Sequence, residues 1–315
     1  MNSKILITGG AGCLGSNLIE FLLPKGYQIC VLDNFTTGRR EVVSDIKGLS
    51  LFEGTIADSK FVDTCFDSFS PDLVIHSAAS YKDPSDWIED AQTNIQGSIN
   101  VAKASARHGV RKIIHFQTSL CFGRPESLPI EHNHPERPFT SYGISKTAGE
   151  NYLFQTELPI ISLRLANVTG PRLAIGPIPT FYQRLKDGKS CFCSDTRRDF
   201  LDMEDFLTLI DLIIQKDVPS GKFNVSTGTS HSILELFHAV SNYLGIKLDA
   251  DPEVLPHGAD DVSEVVLDPS HTEATLGWRA KVSFQETINR MLSWYDQHGV
   301  SAIYSHLKNP QSLKS

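Results

Sequence analysis

Tyr142-Gly-Ile-Ser-Lys146 joins a phenol and an ammonium at a spacing suited to acid–base chemistry. The stretch reads as the start of a helix, where a separation of four puts both side chains on one face, one turn apart. A lysine ammonium beside a phenol favours the phenolate, so the pair predicts Tyr142 as a base near neutral pH. Upstream, an apolar strand runs out into Gln117-Thr118-Ser119-Leu120-Cys121-Phe122-Gly123. A Thr118 hydroxyl at that strand end would face the same cleft and hold a substrate oxygen. The plain alternatives are a chance Tyr-x-x-x-Lys on an exposed helix and a threonine satisfying nearby backbone. Joint occurrence, in this order and after the glycine-spaced turn described next, favours the chemical reading.

Residues 8 to 15 read Thr-Gly-Gly-Ala-Gly-Cys-Leu-Gly, directly after the apolar run Lys4-Ile5-Leu6-Ile7. A buried strand that ends in such a turn and opens a helix is a site for a dinucleotide pyrophosphate. Gly9 and Gly12 allow a tight turn with backbone N–H groups against phosphate, and Gly15 lets the helix pack close to the sheet. Asp33 closes the next strand, about 20 residues on, as the dinucleotide fingerprint requires. Its carboxylate can accept both ribose hydroxyls and would repel a 2′-phosphate, which predicts NAD over NADP. The neighbouring Arg39-Arg40 pair argues the other way.

The elements that must position these groups alternate along the chain. Strands are expected at Ile5–Thr8, Ile29–Asp33, Leu49–Glu53, Leu73–His76, Lys112–Phe116 and Ile160–Leu165. Helices are expected at Leu14–Leu23, Phe61–Phe69, Trp87–His108 and Ser141–Phe154. This alternation predicts an α/β fold, a Rossmann-type doubly wound parallel sheet. After about residue 170 the pieces shorten: helices near 178–186, 204–215, 233–244, 269–276 and 284–298, and a strand near Cys191. The expected division is a dinucleotide-binding domain over 1–170, a smaller C-terminal substrate-binding lobe over 171–300, partly interwoven with the main sheet, and a loose tail over 301–315.

Composition narrows the classes. Lys plus Arg is 29 against Asp plus Glu at 37, a net charge of −8 with dispersed charges, so nucleic acid and anionic membrane are poor partners. No apolar stretch approaches spanning length, and the N-terminus shows no signal-peptide layout, which predicts a cytoplasmic protein. The six cysteines are scattered; only Cys191-x-Cys193 is a close pair, with both on one face if the segment is a strand. Zinc-ligand spacing is lacking, so reduced thiols and no metal are expected.

Taken together, these motifs resemble the extended short-chain dehydrogenase/reductases. The resemblance rests on Thr8-Gly9-x-x-Gly12-x-x-Gly15, Asp33, Asp58 after a strand, His76-Ser-Ala-Ala79, Asn94, Thr118 five before Gly123, and Tyr142-x-x-x-Lys146. Arg164-Leu-Ala-Asn167-Val-Thr-Gly170-Pro171-Arg172, Arg198-Asp199-Phe200 and Phe223-Asn224-Val225 resemble the nucleotide-sugar epimerase/dehydratase branch, notably bacterial members associated with O-antigen and other polysaccharide synthesis. The match runs over roughly residues 4 to 298.

That resemblance implies roles. Gly9, Gly12 and Gly15, with Cys13 and Leu14, would line the NAD pyrophosphate, and Asp33, with Asn34 beside it, the adenosine ribose. Asp58 and the Ser59 backbone would meet the adenine edge; the family more often has an aliphatic residue at Ser59. Ala78, Ala79 and Asn94 would belong to the cofactor site, and Lys146 would also hold the nicotinamide ribose. Thr118 would bond the sugar O4 and Tyr142 would take its proton. Ser119 would lie against the substrate, and Asn167, Arg172, Phe192 and Arg198 would bind a nucleoside diphosphate, a UDP-sugar being favoured. Asn167 capping a turn, and Arg198 pairing with Asp199 or Asp202, are the bland readings.

Related 4,6-dehydratases carry Asp then Glu after the threonine, and related decarboxylases keep a glutamate there. This chain has Ser119 and Leu120, neither an acid nor a base at pH 7, which favours 4-epimerisation over dehydration or decarboxylation. Phe122 stands where the family commonly has tyrosine. The family's late Arg-Pro-Gly-Asp arginine is missing from Leu255-Pro-His-Gly-Ala-Asp-Asp261, leaving Arg172, Arg184 or Arg197 to neutralise the diphosphate. A non-catalytic dinucleotide-binding sensor is opposed by the intact Thr118, Tyr142 and Lys146. An NADP-dependent carbonyl reductase is opposed by Asp33. The family also pairs the helices at 87–108 and 141–154 across a two-fold axis, which predicts a homodimer.

Overall fold

The apolar runs become strands in a computed structural model that describes residues 3–81, 83–258 and 261–300. The first half runs β1 (Lys4–Thr8), α1 (Cys13–Leu22), β2 (Gln28–Asp33), β3 (Leu49–Glu53), α2 (Ser59–Phe69), β4 (Leu73–His76), α3 (Trp87–Asp90), α4 (Ser98–Arg107), β5 (Lys112–Thr118), α5 (Ser141–Leu153) and β6 (Ile160–Leu165). The second half runs β7 (Asn167–Thr169), α6 (Pro177–Lys186), β8 (Phe192–Ser194), β9 (Arg197–Arg198), β10 (Phe200–Asp202), α7 (Met203–Gln215), β11 (Gly221–Val225), β12 (His231–Ser232) and α8 (Ile233–Tyr243). It ends with β13 (Glu253–Leu255), β14 (Glu264–Val265), α9 (Ser270–Leu276) and α10 (Phe284–His298). The tail expected over 301–315 lies outside the described residues.

Seven strands form one parallel sheet in the order β11-β6-β5-β4-β1-β2-β3. Chain direction reverses across the sheet between β1 and β4, the switch point at which such sheets open a crevice at their carboxyl ends. Both faces are covered, which is why the strands read as near-continuous apolar runs. Ile5 and Ile7 pack with α1 and α7 residues such as Leu18, Ile19, Phe206 and Ile210. Leu6, on the opposite face, packs with Val62, Phe66, Val101 and Leu153 from α2, α4 and α5. Each fully buried Leu or Ile contributes about 1.5–3 kcal/mol, so two such layers leave the sheet edge rigid enough to carry a site.

The chain beyond residue 170 supplies both β11, an edge strand of the main sheet, and a separate layer of α6, α8 and α10 around Phe181, Leu236, Phe237 and Met291. Three of its helices start on side-chain caps: Asp202 for α7, Ser283 for α10, and for α8 a reciprocal Ser232–Glu235 capping box. The long helix expected over 87–108 is interrupted. Ala91–Gly97 adopts a π-helical turn between α3 and α4, and within it Asn94 faces the loop after β4 and α5. Cys191 precedes β8 and Cys193 is buried within it; all six cysteines are free thiols.

Candidate functional site

The glycine-rich turn is built for close approach. Gly9 sits at φ +68°, and a Cβ there would lie 2.8 Å from the Ala78 backbone. A Cβ on Gly15 would collide with the Gly9 carbonyl oxygen and come to 2.5 Å from Gly10 Cα, so only glycine lets α1 pack on the loop. Gly12 is the N-cap of α1 and offers no side chain to its first N–H groups, those of Cys13 and Leu14 among them. An uncapped helix N-terminus at a switch point suits a pyrophosphate anion.

Asp33 stands at the end of β2, its two carboxylate oxygens accepting from Ala11 N (2.9 Å) and Phe35 N (2.8 Å). Burial pushes its pKa up, against those two hydrogen bonds. Asn34 is exposed and its side chain accepts from Thr36 N. Arg39 and Arg40 are engaged with Glu41 and Glu53, and Arg40 also stacks on Phe35, which weakens their case as 2′-phosphate ligands. Asp58 caps α2 by accepting from Lys60 N and Phe61 N, with Ser59 as the first helical residue.

Across the switch point, Asn94 accepts from Ser80 N (2.9 Å) and donates to Ser80 O and to Ser145 Oγ. It thereby ties the Ala78–Ala79 loop after β4 to α5. His76 is fully buried below, between Thr8 Oγ1 (2.8 Å) and Ser98 Oγ (3.0 Å), and burial lowers its pKa to about 3. Thr8 Oγ1 also accepts from Ala78 N, so the neutral imidazole clamps β1, β4 and the helix beyond into one unit.

Thr118 ends β5 and its Oγ1 accepts from Leu120 N, opening a short turn that contains Ser119. The backbone role open to any threonine is thus realised, while the hydroxyl proton stays available to a ligand. Gln117 fastens this strand end to α5 through Lys146 O at 3.1 Å. Tyr142 and Lys146 both lie on α5, which is capped by Thr140.

One expectation fails here. Burial, with Tyr81 and Asp90 adding to it, raises the Tyr142 phenol above its ordinary value rather than lowering it. The Lys146 ammonium itself meets His115 Nε2 at 3.0 Å. Burial lowers Lys146 to about 8, with Glu150 opposing.

The nucleotide-binding candidates are less concentrated. Asn167 is exposed in β7, and Phe192 is half-buried in β8 beside β13. Arg198 is held by Asp261 and by its own neighbour's carbonyl, Arg197 O; Asp199 and Asp202 have other partners. Burial lowers Arg198, with Asp261 opposing. Among the substitutes for the missing late arginine, Arg184 binds Ser190 O and Arg197 binds Ser230 and Glu235. Arg172, at φ +66°, pairs with Glu20 of α1 and leaves its buried Nη1 without a partner.

A buried polar layer also runs under the site: His115, Glu150, Ser162 and Arg164, closed off by Glu136 and Lys222. Its signal in the sequence was His115 inside the apolar run of β5 and Ser162 and Arg164 alternating with apolar residues in β6.

Residues 5–226 match the NAD dependent epimerase/dehydratase family. The chain belongs to that family. It is 29% identical to a UDP-glucose 4-epimerase of Halalkalibacterium halodurans, over 93% of this chain and 96% of that one. It is also similar to the Bordetella bronchiseptica enzyme WbmG, solved in complex with NAD and in complex with NAD and UDP. That likeness has 60% identity, 98% coverage of both chains and a TM-score of 0.92. A Thermotoga maritima UDP-glucose 4-epimerase solved with UDP-glucose is 28% identical, with a TM-score of 0.86 over 93% of this chain and 99% of that one. Within the epimerase/dehydratase family, the glycine turn and the Asp33 end of β2 fit NAD as resident cofactor.

Proposed function

We propose that this chain is an NAD-dependent nucleotide-sugar 4-epimerase, acting on a UDP-sugar through a transient 4-keto intermediate. One observation carries the reading: Thr118 and the Tyr142–Lys146 pair flank one carboxyl edge of the sheet, next to an uncapped helix N-terminus, with Ser119 and Leu120 in the positions that would supply an acid and a base for dehydration. NAD held by the glycine turn and Asp33 would supply the acceptor, and afterwards the donor, of the C4 hydride.

Thr118 Oγ1, one of its lone pairs engaged by Leu120 N, donates its proton to the sugar O4 and orients it. Tyr142 removes the O4 proton as the C4 hydrogen departs and returns a proton to O4 when the hydrogen comes back on the other face. Because the buried phenol is a weak acid in the ligand-free protein, the Lys146 ammonium must act on it within the assembled site. Thr118 and Tyr142 together hold the oxygen while its charge changes. Arg198 is the cation for the diphosphate, leaving Asp261 to do so, and Phe192 and Asn167 meet the nucleoside.

Trp87 and Ile88 (each 70% exposed) on α3 and Ile144 and Tyr152 on α5 give this pair of helices an apolar outer face, which supports a homodimer through them. Among the described residues no helix is long and apolar enough to cross a membrane. A nucleotide-sugar substrate supports the reading of a cytoplasmic enzyme of polysaccharide synthesis. Incubation with a panel of UDP- and other nucleotide-sugars, followed by NMR, tests the reading. Interconversion at C4 without net cofactor consumption is the expected result; a stable 4-keto-6-deoxy product would overturn it.

A further inference from the structure

A line of buried polar groups leads away from Lys146 beneath the catalytic edge, and the reaction proposed above makes no use of it. Lys146 Nζ lies 3.0 Å from His115 Nε2, His115 Nδ1 lies 3.0 Å from Ser162 Oγ, and Ser162 Oγ lies 2.5 Å from Glu150 Oε1. His115, Ser162 and Glu150 have no exposed surface and Lys146 has 2%, so bulk water cannot stand in for any link.

The direction of the chain follows from its far end. Glu150 faces Arg164 at 3.3 Å and Lys222 at 3.2 Å, so its oxygens accept and the single Ser162 proton goes to it. The Ser162 oxygen then accepts from His115, which places the ring proton on Nδ1. Nε2 keeps its lone pair and accepts from the Lys146 ammonium. Every proton therefore points from Lys146 toward Glu150.

The other groups around the imidazole hold it neutral. Burial acts most strongly, and Lys146 of α5, His76 of β4 and Arg164 of β6 all oppose a second positive charge there. The His76 and His115 rings are 5.5 Å apart, and His76 is neutral as well. A neutral ring with a fixed tautomer is a directed acceptor, which neither a serine nor a water would be at this position.

We propose that His115 is a positioning residue of the reaction: with Ser162 and Glu150 it forms a one-way hydrogen-bond chain that anchors the Lys146 ammonium below the catalytic edge. The anchor uses one of three ammonium protons and leaves two for ligands above. It also preserves the charge, since a lysine already lowered by burial would lose its proton more readily with no acceptor beside it. The inference rests on the reading that Lys146 serves Tyr142, so the test reads Lys146 itself.

NAD-loaded protein carrying 13C-labelled lysine is titrated by NMR, the Lys146 signal being assigned by its loss in Lys146→Arg. His115→Leu fills the ring's space without an acceptor and should move the Lys146 midpoint down by about one pH unit, a tenfold change. Ser162→Ala should move it the same way by less, and His115→Gln, which keeps a carbonyl acceptor, should restore most of it. Unchanged midpoints in folded, NAD-loaded variants would overturn the proposal, as would equal shifts for Leu and Gln. A shifted midpoint in a protein that turns over no nucleotide-sugar would leave the anchor standing and remove the epimerase reading; turnover with an unmoved midpoint would do the reverse.

Discussion

Gly12 and Gly15 are three residues apart in the same turn, yet alanine at the two positions should fail in different ways. At Gly15 the added Cβ would meet Gly10 Cα at 2.5 Å as well as the Gly9 carbonyl oxygen. Ordinary carbon–carbon contact is about 3.5–4.0 Å, so α1 must retreat by about 1 Å. That helix packs Leu18, Ile19 and Leu22, all without exposed surface, against the sheet. Forcing it outward is overpacking of a well-filled core and should cost about 1–3 kcal/mol of unfolding free energy, with or without cofactor. At Gly12 the nearest atom is Gly9 O at 3.3 Å, the backbone is extended (φ −76°), and the helix need not move. There the methyl obstructs only the space where a pyrophosphate meets the first N–H groups of α1. Losing two charge-assisted hydrogen bonds at about 1.5 kcal/mol each weakens NAD binding by roughly 100-fold. Urea unfolding of cofactor-free protein and calorimetric NAD titration separate the two effects. Gly15→Ala should show a lower midpoint and weak NAD binding; Gly12→Ala should show a near-normal midpoint and weak NAD binding. A Gly12→Ala protein destabilised as much as Gly15→Ala, or a Gly15→Ala protein of normal stability, would refute the packing argument.

Other residues give sharper single readouts. Tyr142→Phe should lower kcat by at least about 100-fold while NAD still copurifies, as absorbance and mass spectrometry of the released cofactor will show. Asp33→Ser should raise the ratio of NADP to NAD affinity, measured by parallel titrations, because the carboxylate that repels a 2′-phosphate is gone. Asp199, pushed up to about 6 by burial against hydrogen bonds from Thr227 and Gly228, is strained as a carboxylate above that pH. Its folded pKa exceeds the unfolded one, so its penalty disappears as pH falls from above 6 toward 4; wild type should gain on the order of 2 kcal/mol over Asp199→Asn between pH 7.5 and 4.5 in denaturant titrations. Trp87→Glu combined with Ile144→Glu should convert a dimer to a monomer in sedimentation equilibrium at micromolar concentration.

The strands of the main sheet were legible because burial on both faces leaves an unbroken apolar run. Leu73–His76 and Leu49–Glu53 coincide with the expectation, and β5 extends two residues further to include Thr118. The π turn at Ala91–Gly97 was not legible, since a single inserted residue shifts the helical phase without removing the apolar pattern on either side. Strands of two or three residues, such as β9 and β12, are too short to carry a period of two and arise from tertiary pairing. For Tyr142 and Lys146, spacing established the shared helix face but not where a four-carbon stem would aim its ammonium. That was decided by an acceptor on β5, whose run Ile113–Phe116 shows one histidine among apolar residues.

That histidine belongs to an uneven distribution of polarity within the sheet. β1 and β2 have interiors of Ile, Leu, Val and Cys as far as their last residues, Thr8 and Asp33, whereas β4, β5 and β6 carry His76, His115, Ser162 and Arg164 inward. Replacing buried ion pairs with apolar residues of similar size is often neutral or stabilising, so stability alone does not account for this layer. Breaking it singly is another matter: Arg164, with 1% exposure, holds Glu136 and Glu150 together, and its removal would leave the two carboxylates to share Lys222 as cation. The layer thus couples β6 to α5 through charge and α5 to β5 through His115. Those elements carry Thr118, Tyr142 and Lys146, and a hydrogen-bonded lattice restricts their relative placement more tightly than packing of interchangeable aliphatic groups does. In the proposed reaction the half of the sheet that grips the cofactor has no comparable demand, because backbone N–H groups at α1 and a single carboxylate at Asp33 would do that work. The polar layer lies under the half of the sheet where the proposed reaction requires atoms to be held.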